Sequence, residues 1–152
     1  MDIADLTGME AFINLKELGH GKNRWTEFNV DQNTKSERLW CGHDNIPVVN
    51  NQKIQCQVFL RLNIAMSSIE KSHLSNLRLI NCSKTNFVSL NFSNMSKLES
   101  ISCSRDNSNS LINKNLPILK YLYCSYNSLQ KFTIVDTPQL EVADCRKNVL
   151  KI

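Results

Sequence analysis

Apolar residues recur along the chain at fixed offsets. Leu119, Leu122, Cys124, Asn127 and Leu129 form L-x-x-L-x-C-x-x-N-x-L; Leu140, Ala143, Cys145, Asn148 and Leu150 restate it, and Leu15, Leu18, His20, Asn23 and Trp25 open it. The sixth position runs through Cys82, Cys103, Cys124 and Cys145 at a constant step of 21; it continues backward to Leu62 after a step of 20, then to Cys41 and His20 at 21 each. Seven repeats therefore fill residues 15–152 of one domain, 1–152, behind a cap-like segment 1–14. Apolar residues two apart, such as Leu122 and Cys124, share one side of a strand, so each repeat predicts one short strand with its neighbours pointing outward.

The polar positions predict the turns. Asparagine at the ninth position supplies a buried amide to backbone groups that no sheet ladder satisfies. In three repeats Asn45, Asn86 and Asn107 fall one place later, which predicts turns carrying an extra residue. Pro117 and Pro138, also 21 apart, lie on the return path and predict an irregular or short helical return instead of a second sheet. The third repeat has Gln57 in place of its first leucine and breaks phase, with a bulge expected between Val48 and Cys56. Thr7 followed by Glu10 predicts a capping box on a short helix whose apolar side, Met9, Phe12 and Ile13, covers the first repeat. At the other end the array stops just past its seventh turn, so the last strand is expected either to continue in a longer array or to be covered by self-association.

Composition narrows the class. At 41% hydrophobic and 21% charged, with four glycines and no apolar run long enough for a bilayer, the chain is predicted to be an elongated repeat domain without a membrane span. The net charge of +4 is modest. Lys84, Arg105, Arg146 and Lys147 at the seventh or eighth position of three repeats, with tyrosines nearby, give a nucleic-acid reading a starting point, but the excess of base over acid is small for one. Ladder cysteines point into a core side by side and are expected to be reduced apolar fillers. A zinc centre needs four converging ligands, and His20 beside Cys41, with His43, is the nearest approach to one. His43 and His73 have no nucleophile at a suggestive spacing, and Asp136 and Asp144 fall on different sides of the repeat, so neither catalysis nor a cofactor is predicted.

The repeat resembles the leucine-rich-repeat signature with cysteine or histidine at the sixth position. It is similar to the cysteine-bearing bacterial arrays of the internalin J kind and to surface-protein arrays of Bacteroidetes; residues 3–18, IADLTGMEAFINLKEL, look like the start of such arrays. The resemblance implies a curved, right-handed α/β solenoid whose concave parallel sheet binds a macromolecule, and it implies a secreted or surface-anchored protein. An intracellular effector or regulator, cytoplasmic if Met1 is the native start, is the alternative that reduced thiols and the lack of a signal-peptide layout favour.

The outward strand positions then list the candidate contacts. One aromatic patch comprises Arg38, Trp40, Phe59 and Arg61; the other comprises Tyr121, Tyr123 and Tyr126 with Arg105 and Arg146. Small polar residues, Asn81, Ser83, Ser100, Ser102 and Ser104, lie between. Aromatics and arginine on an exposed sheet are the residue types that dominate protein interfaces, and a seven-strand face is ~30 Å long. A protein is the partner expected, with a glycan as the other choice.

Overall fold

The computed structural model describes residues 7–21, 32–42, 59–63, 74–85 and 87–150, by backbone alone at 20–21, 41–42 and 59–63. Strands β1 (Glu17–Gly21), β2 (Arg38–Gly42), β3 (Phe59–Asn63), β4 (Leu79–Asn81), β6 (Ser100–Ser102), β8 (Tyr121–Tyr123) and β10 (Val142–Asp144) lie in that order in one parallel sheet. Strands β5 (Ser89–Asn91), β7 (Ser110–Lys114) and β9 (Lys131–Val135) form a second parallel sheet. The protein is thus a parallel β-solenoid, a stack of similar turns.

Register follows the sequence period. Glu17 pairs with Arg38, Arg38 with Phe59, and Ser100 with Tyr121, each 21 residues on, whereas Phe59 pairs with Leu79 after 20. The missing residue therefore falls after β3, on the path to β4. The bulge expected between Val48 and Cys56 lies outside the described residues.

The second sheet corrects the expectation of an irregular or short-helical convex side, and with it the α/β class. Among the described residues the only helical element is a single 3-10 turn, Met9–Ala11. The second sheet has its own inward pairs two residues apart: Leu90 and Phe92, Leu111 and Asn113, Phe132 and Ile134. Pro117 and Pro138 start no helix. Leu119 N–H donates to the Leu116 carbonyl at 3.2 Å and Leu140 N–H to Thr137 at 3.2 Å, so each proline occupies the second position of a β-turn, where its fixed φ fits. The same turn closes at Leu15, Ser36, Leu77 and Leu98.

Between the sheets the core is stacked in columns. Leu77, Leu98 and Leu119 form one, Ile80, Ile101 and Leu122 another, and Cys82, Cys103 and Cys124 a third, all buried. Each column continues into the last turn at Leu140, Ala143 and Cys145, where burial is lost in part. One column contains a foreign member: Asn113 stands between Phe92 and Ile134, fully buried, with neither amide atom hydrogen-bonded. Such an amide costs roughly 1–3 kcal/mol. Asn113→Val, which suits a strand and has no polar atoms to satisfy, is expected to raise the thermal midpoint by several degrees. A lower midpoint in a melting experiment would show that the amide has a partner in solution.

Corners repeat as faithfully as strands. Lys84, Arg105, Tyr126 and Lys147 take left-handed φ values of 61°, 62°, 57° and 56° after the large sheet; Asn94, Asn115 and Asp136 do so at 67°, 55° and 56° after the second. Asn and Asp tolerate this conformation. Corners of both sheets are also held by the following turn: Lys84 N–H donates to Ser104 O, Arg105 to Ser125, Tyr126 to Arg146, Asn94 to Lys114 and Asn115 to Val135, at 2.9–3.1 Å.

The predicted asparagine task is carried out at these corners. Asn127 Nδ2 donates to the carbonyls of Cys103 (2.7 Å) and Cys124 (3.2 Å), and Asn148 Nδ2 to those of Cys124 and Cys145, both 2.9 Å. The extra-residue reading of the two preceding corners is corrected. Thr85 and Asp106 occupy the same slot, buried, while Asn107 is exposed; Asn86 lies outside the described residues. The capping box does not form as expected either: the cap residue is Gly8, at φ 95°, and no side chain caps the turn. Gly8 N–H instead donates to Glu10 Oε2 at 3.0 Å. Phe12 and Ile13 are exposed, not packed as the apolar side of a cap; the end of the turn is bound by Asn33, whose Nδ2 donates to the carbonyls of Met9 and Phe12 at 3.0 and 3.1 Å.

Candidate functional site

Alternation places the candidate residues. Because Leu122 is buried, Tyr121 and Tyr123 on either side of it project from the large sheet, 37% and 39% exposed. Their register partners are Ser100 and Ser102 on one flank and Val142 and Asp144 on the other. The two rings therefore stand above a floor of small residues. Tyr121 is oriented by its hydroxyl, which donates to Glu141 Oε2 at 3.2 Å.

The floor is tied together by side chains. Ser83 N–H donates to Asn81 Oδ1 (3.0 Å), the hydroxyls of Ser83 and Ser102 are 2.9 Å apart, Ser104 N–H donates to Ser83 Oγ (3.1 Å), and the hydroxyls of Ser104 and Ser125 are 3.3 Å apart. A surface whose polar groups already bond one another loses little freedom when a partner covers it.

Tyr126 sits at the corner beyond the sheet, half-exposed at 51%, and the Arg105 guanidinium lies 5.1 Å from its ring centroid, within cation–π range. Arg146 is differently engaged. Its Nε and Nη2 bind the two oxygens of Asp144 at 2.9 and 3.0 Å, and this bidentate contact holds the Asp144 carboxyl down to about 2. Sequence reasoning paired Arg146 with the tyrosines and missed Asp144; the signal was their two-residue spacing around the corner after β10.

At the other end, Trp40 is half-buried and lies over β1: a Cβ at Gly19 would meet its Cε3 at 3.3 Å. Gly19 makes room for the indole, so part of this ring serves sheet packing. Register sets Arg38 beside Phe59 and Trp40 beside Arg61, while the side chains of Phe59 and Arg61, like those of the ladder residues His20, Cys41 and Leu62, lie outside the described residues. So does His43, the third member of the metal candidate. Arg38 forms an ion pair with Glu17 on the adjacent strand. Arg38 and Trp40 are thus in the same sheet as Tyr121 and Tyr123, with β3, β4 and β6 between their strands.

A feature the sequence reading overlooked runs beside this face. Second-position residues alternate in charge as Lys16 and Glu37 and again as Arg78, Glu99, Lys120 and Glu141, with the uncharged Val58 between the two runs. Lys16 pairs with Glu37 at 3.0 Å, Arg78 with Glu99 at 2.7 Å and Lys120 with Glu141 at 3.7 Å. The signal was present in the 21-residue spacing.

The chemistry of the thiols is that of a core. Burial pushes the Cys82, Cys103 and Cys124 thiols far up, so they stay protonated near neutrality. Asp106 is the exception among buried groups: burial pushes its carboxyl up to about 7 even though Thr85 N–H (2.5 Å) donates to Oδ1, which a carboxylate favours; Oδ2 has no partner. Among the described residues, no three His, Cys, Asp or Glu side chains form a cluster able to hold a metal. No helix of the described residues is long and apolar enough to cross a membrane.

Fold and face define a class, the parallel β-solenoid with an aromatic and polar sheet surface. Comparisons with protein-family models, curated proteins and solved structures give no match.

Proposed function

We propose that the chain is a non-catalytic binding module of the leucine-rich-repeat kind, and that the outward face of its large sheet engages a protein. The observation that carries this reading is the pair Tyr121 and Tyr123, two exposed rings on one strand above the bonded serine floor of β6. Tyrosine offers large contact area with few rotors and a polar tip, which is why it concentrates in interface hot spots. Arg105 stacked on Tyr126 widens the same surface at its corner. Because Arg146 is neutralised by Asp144, the basic row available for phosphates is shorter than the sequence suggests, and a protein suits the face better than a nucleic acid. The resemblance to bacterial surface arrays supports an extracellular or surface setting.

The test is affinity capture from the proteins of the source cell and its medium, with the wild-type chain and a Tyr121→Ala/Tyr123→Ala variant side by side. Both rings are exposed, so the variant is expected to keep its melting midpoint within about a degree and to bind the captured protein at least ~10-fold more weakly. Equal capture by both forms would move binding off this face. A steep loss of capture with added salt would replace the protein by a nucleic acid.

A further inference from the structure

We propose that Cys124 and Cys145 are an oxidisable pair that closes to a disulfide on reaction with a small-molecule disulfide such as oxidised glutathione. The ladder thiols of Cys82 and Cys103 are structural, and this pair differs from them in three respects.

The first is distance. Cys124 Sγ and Cys145 Sγ are 3.5 Å apart, the only thiols within hydrogen-bonding distance of one another among the described residues. Their backbones are abreast, since Asp144 pairs with Tyr123 and Cys124 N–H donates to the Asp144 carbonyl at 2.9 Å. Adjacent strands lie ~4.8 Å apart, inside the Cα range of bridged cysteines, so closure requires the sulfurs to approach by ~1.5 Å.

The second is freedom to move. Cys82, Cys103 and Cys124 lie in turns with a neighbour on each side, and all are buried. Cys145 follows β10, which pairs with β8 alone among the described residues. Around it Leu140 is half-buried, while Ala143 and Leu150 are exposed. A shift that the packed core would resist is tolerated among these less buried neighbours.

The third is access. Cys145 is half-buried while its partner is fully enclosed, so Cys145 is the sulfur a small reagent reaches. Its thiolate attacks one sulfur of oxidised glutathione, forming a mixed disulfide and expelling one glutathione thiolate. Cys124 then loses its proton to water and attacks Cys145 Sγ, forming the Cys124–Cys145 bond and expelling the second glutathione. Two electrons pass from the protein to the small disulfide. Burial disfavours the Cys124 thiolate, so the second step is the slow one and accelerates as the solution is made more alkaline.

The experiment is incubation of the folded chain with excess oxidised glutathione, followed by intact-mass measurement and peptide mapping. A mass lower by one hydrogen molecule, a linked peptide joining Cys124 to Cys145, and full reversal by a dithiol are expected. Cys145→Ala should abolish the linkage. Cys124→Ala, which keeps the core apolar, should halt the reaction at a glutathione adduct on Cys145. A wild-type protein that ends as that adduct, that links Cys41 or Cys56 instead, or that does not react at either thiol overturns the proposal.

Discussion

Asp106→Asn is expected to stabilise the protein at neutral pH and to do so progressively less in acid. Asp106 occupies the corner slot that Asn127 and Asn148 fill in the next two turns. In those turns the amide nitrogen donates to two carbonyls; by the same register the carbonyls available to Asp106 are those of Cys82 and Cys103. An ionised carboxylate has no hydrogen to offer them, and Oδ2 is left buried without a partner. Thr85 does not help that oxygen, because its single hydroxyl proton goes to the Cys82 carbonyl at 2.8 Å or to Oδ1 at 3.1 Å. The neighbouring Cys82 and Cys103 thiols are neutral and supply no positive charge.

The sign follows from the shift. Burial raises the folded-state pKa from the ordinary value of 3.8 to about 7, so between these values the unfolded chain has released the proton while the folded chain still binds it. Stability contributed by the protonated group is complete in acid, falls as pH rises through this window, and levels off above about 7. At ~1.4 kcal/mol per unit, the loss at neutral pH is roughly 2–4 kcal/mol. Asparagine keeps the acceptor for Thr85 and adds the missing donor without titrating. Its advantage should reach a rise of about 5–10 °C in midpoint at neutral pH and decline below it. Melting curves for both proteins across this range decide the matter, and a constant difference between them would remove Asp106 as the cause.

Asn127→Ala should be among the most damaging single substitutions in the array. Its amide serves the Cys103 and Cys124 carbonyls through Nδ2, and its Oδ1 accepts the Asp106 N–H at 3.0 Å. All of these groups are in the core, and an alanine would leave the Cys103 carbonyl and the Asp106 N–H without partners, while the Cys124 carbonyl keeps Asn148. At roughly 1–1.5 kcal/mol each, the loss is about 2–3 kcal/mol. Asn148→Ala, in the half-buried last turn, should cost clearly less because water reaches its acceptors. Denaturant unfolding of the two variants tests this, and equal small losses would mean that water also serves the inner corner.

Those corners show where sequence reasoning succeeded and where it failed. The strand positions, the 21-residue step and the slip between β3 and β4 were legible because the first, fourth and sixth positions are apolar in nearly every repeat, and burial on one face permits no other register. The outward tyrosines were legible for the same reason, being the complement of Leu122. The Thr85 and Asp106 corners were misread because Asn86 and Asn107 stand next door and look like shifted members of the column. The chain tolerates any side chain there that can bond the backbone, so residue identity wanders while the slot stays fixed. The second sheet escaped notice because Asn113 interrupts one inward column and the nearby prolines suggested a helix. Arg146 could be placed near the tyrosines, yet its pairing depends on how the chain folds around a corner, which spacing alone does not reveal.

Along its last four members, Arg78, Glu99, Lys120 and Glu141, the row of alternating charges beside the large sheet acts as a parity code. Each ion pair is weak at the surface, and its strength is not the point. Similar turns can in principle stack in any whole-turn offset, and the apolar columns, being nearly uniform, discriminate poorly among offsets. The charges discriminate odd from even. Among the last four turns, a displacement by one place brings Glu beside Glu or Lys beside Arg, whereas a displacement by two restores the attraction; the uncharged Val58 separates this stretch from the Lys16–Glu37 pair. Interior edits of those four turns would thus avoid like-charge neighbours only in steps of two.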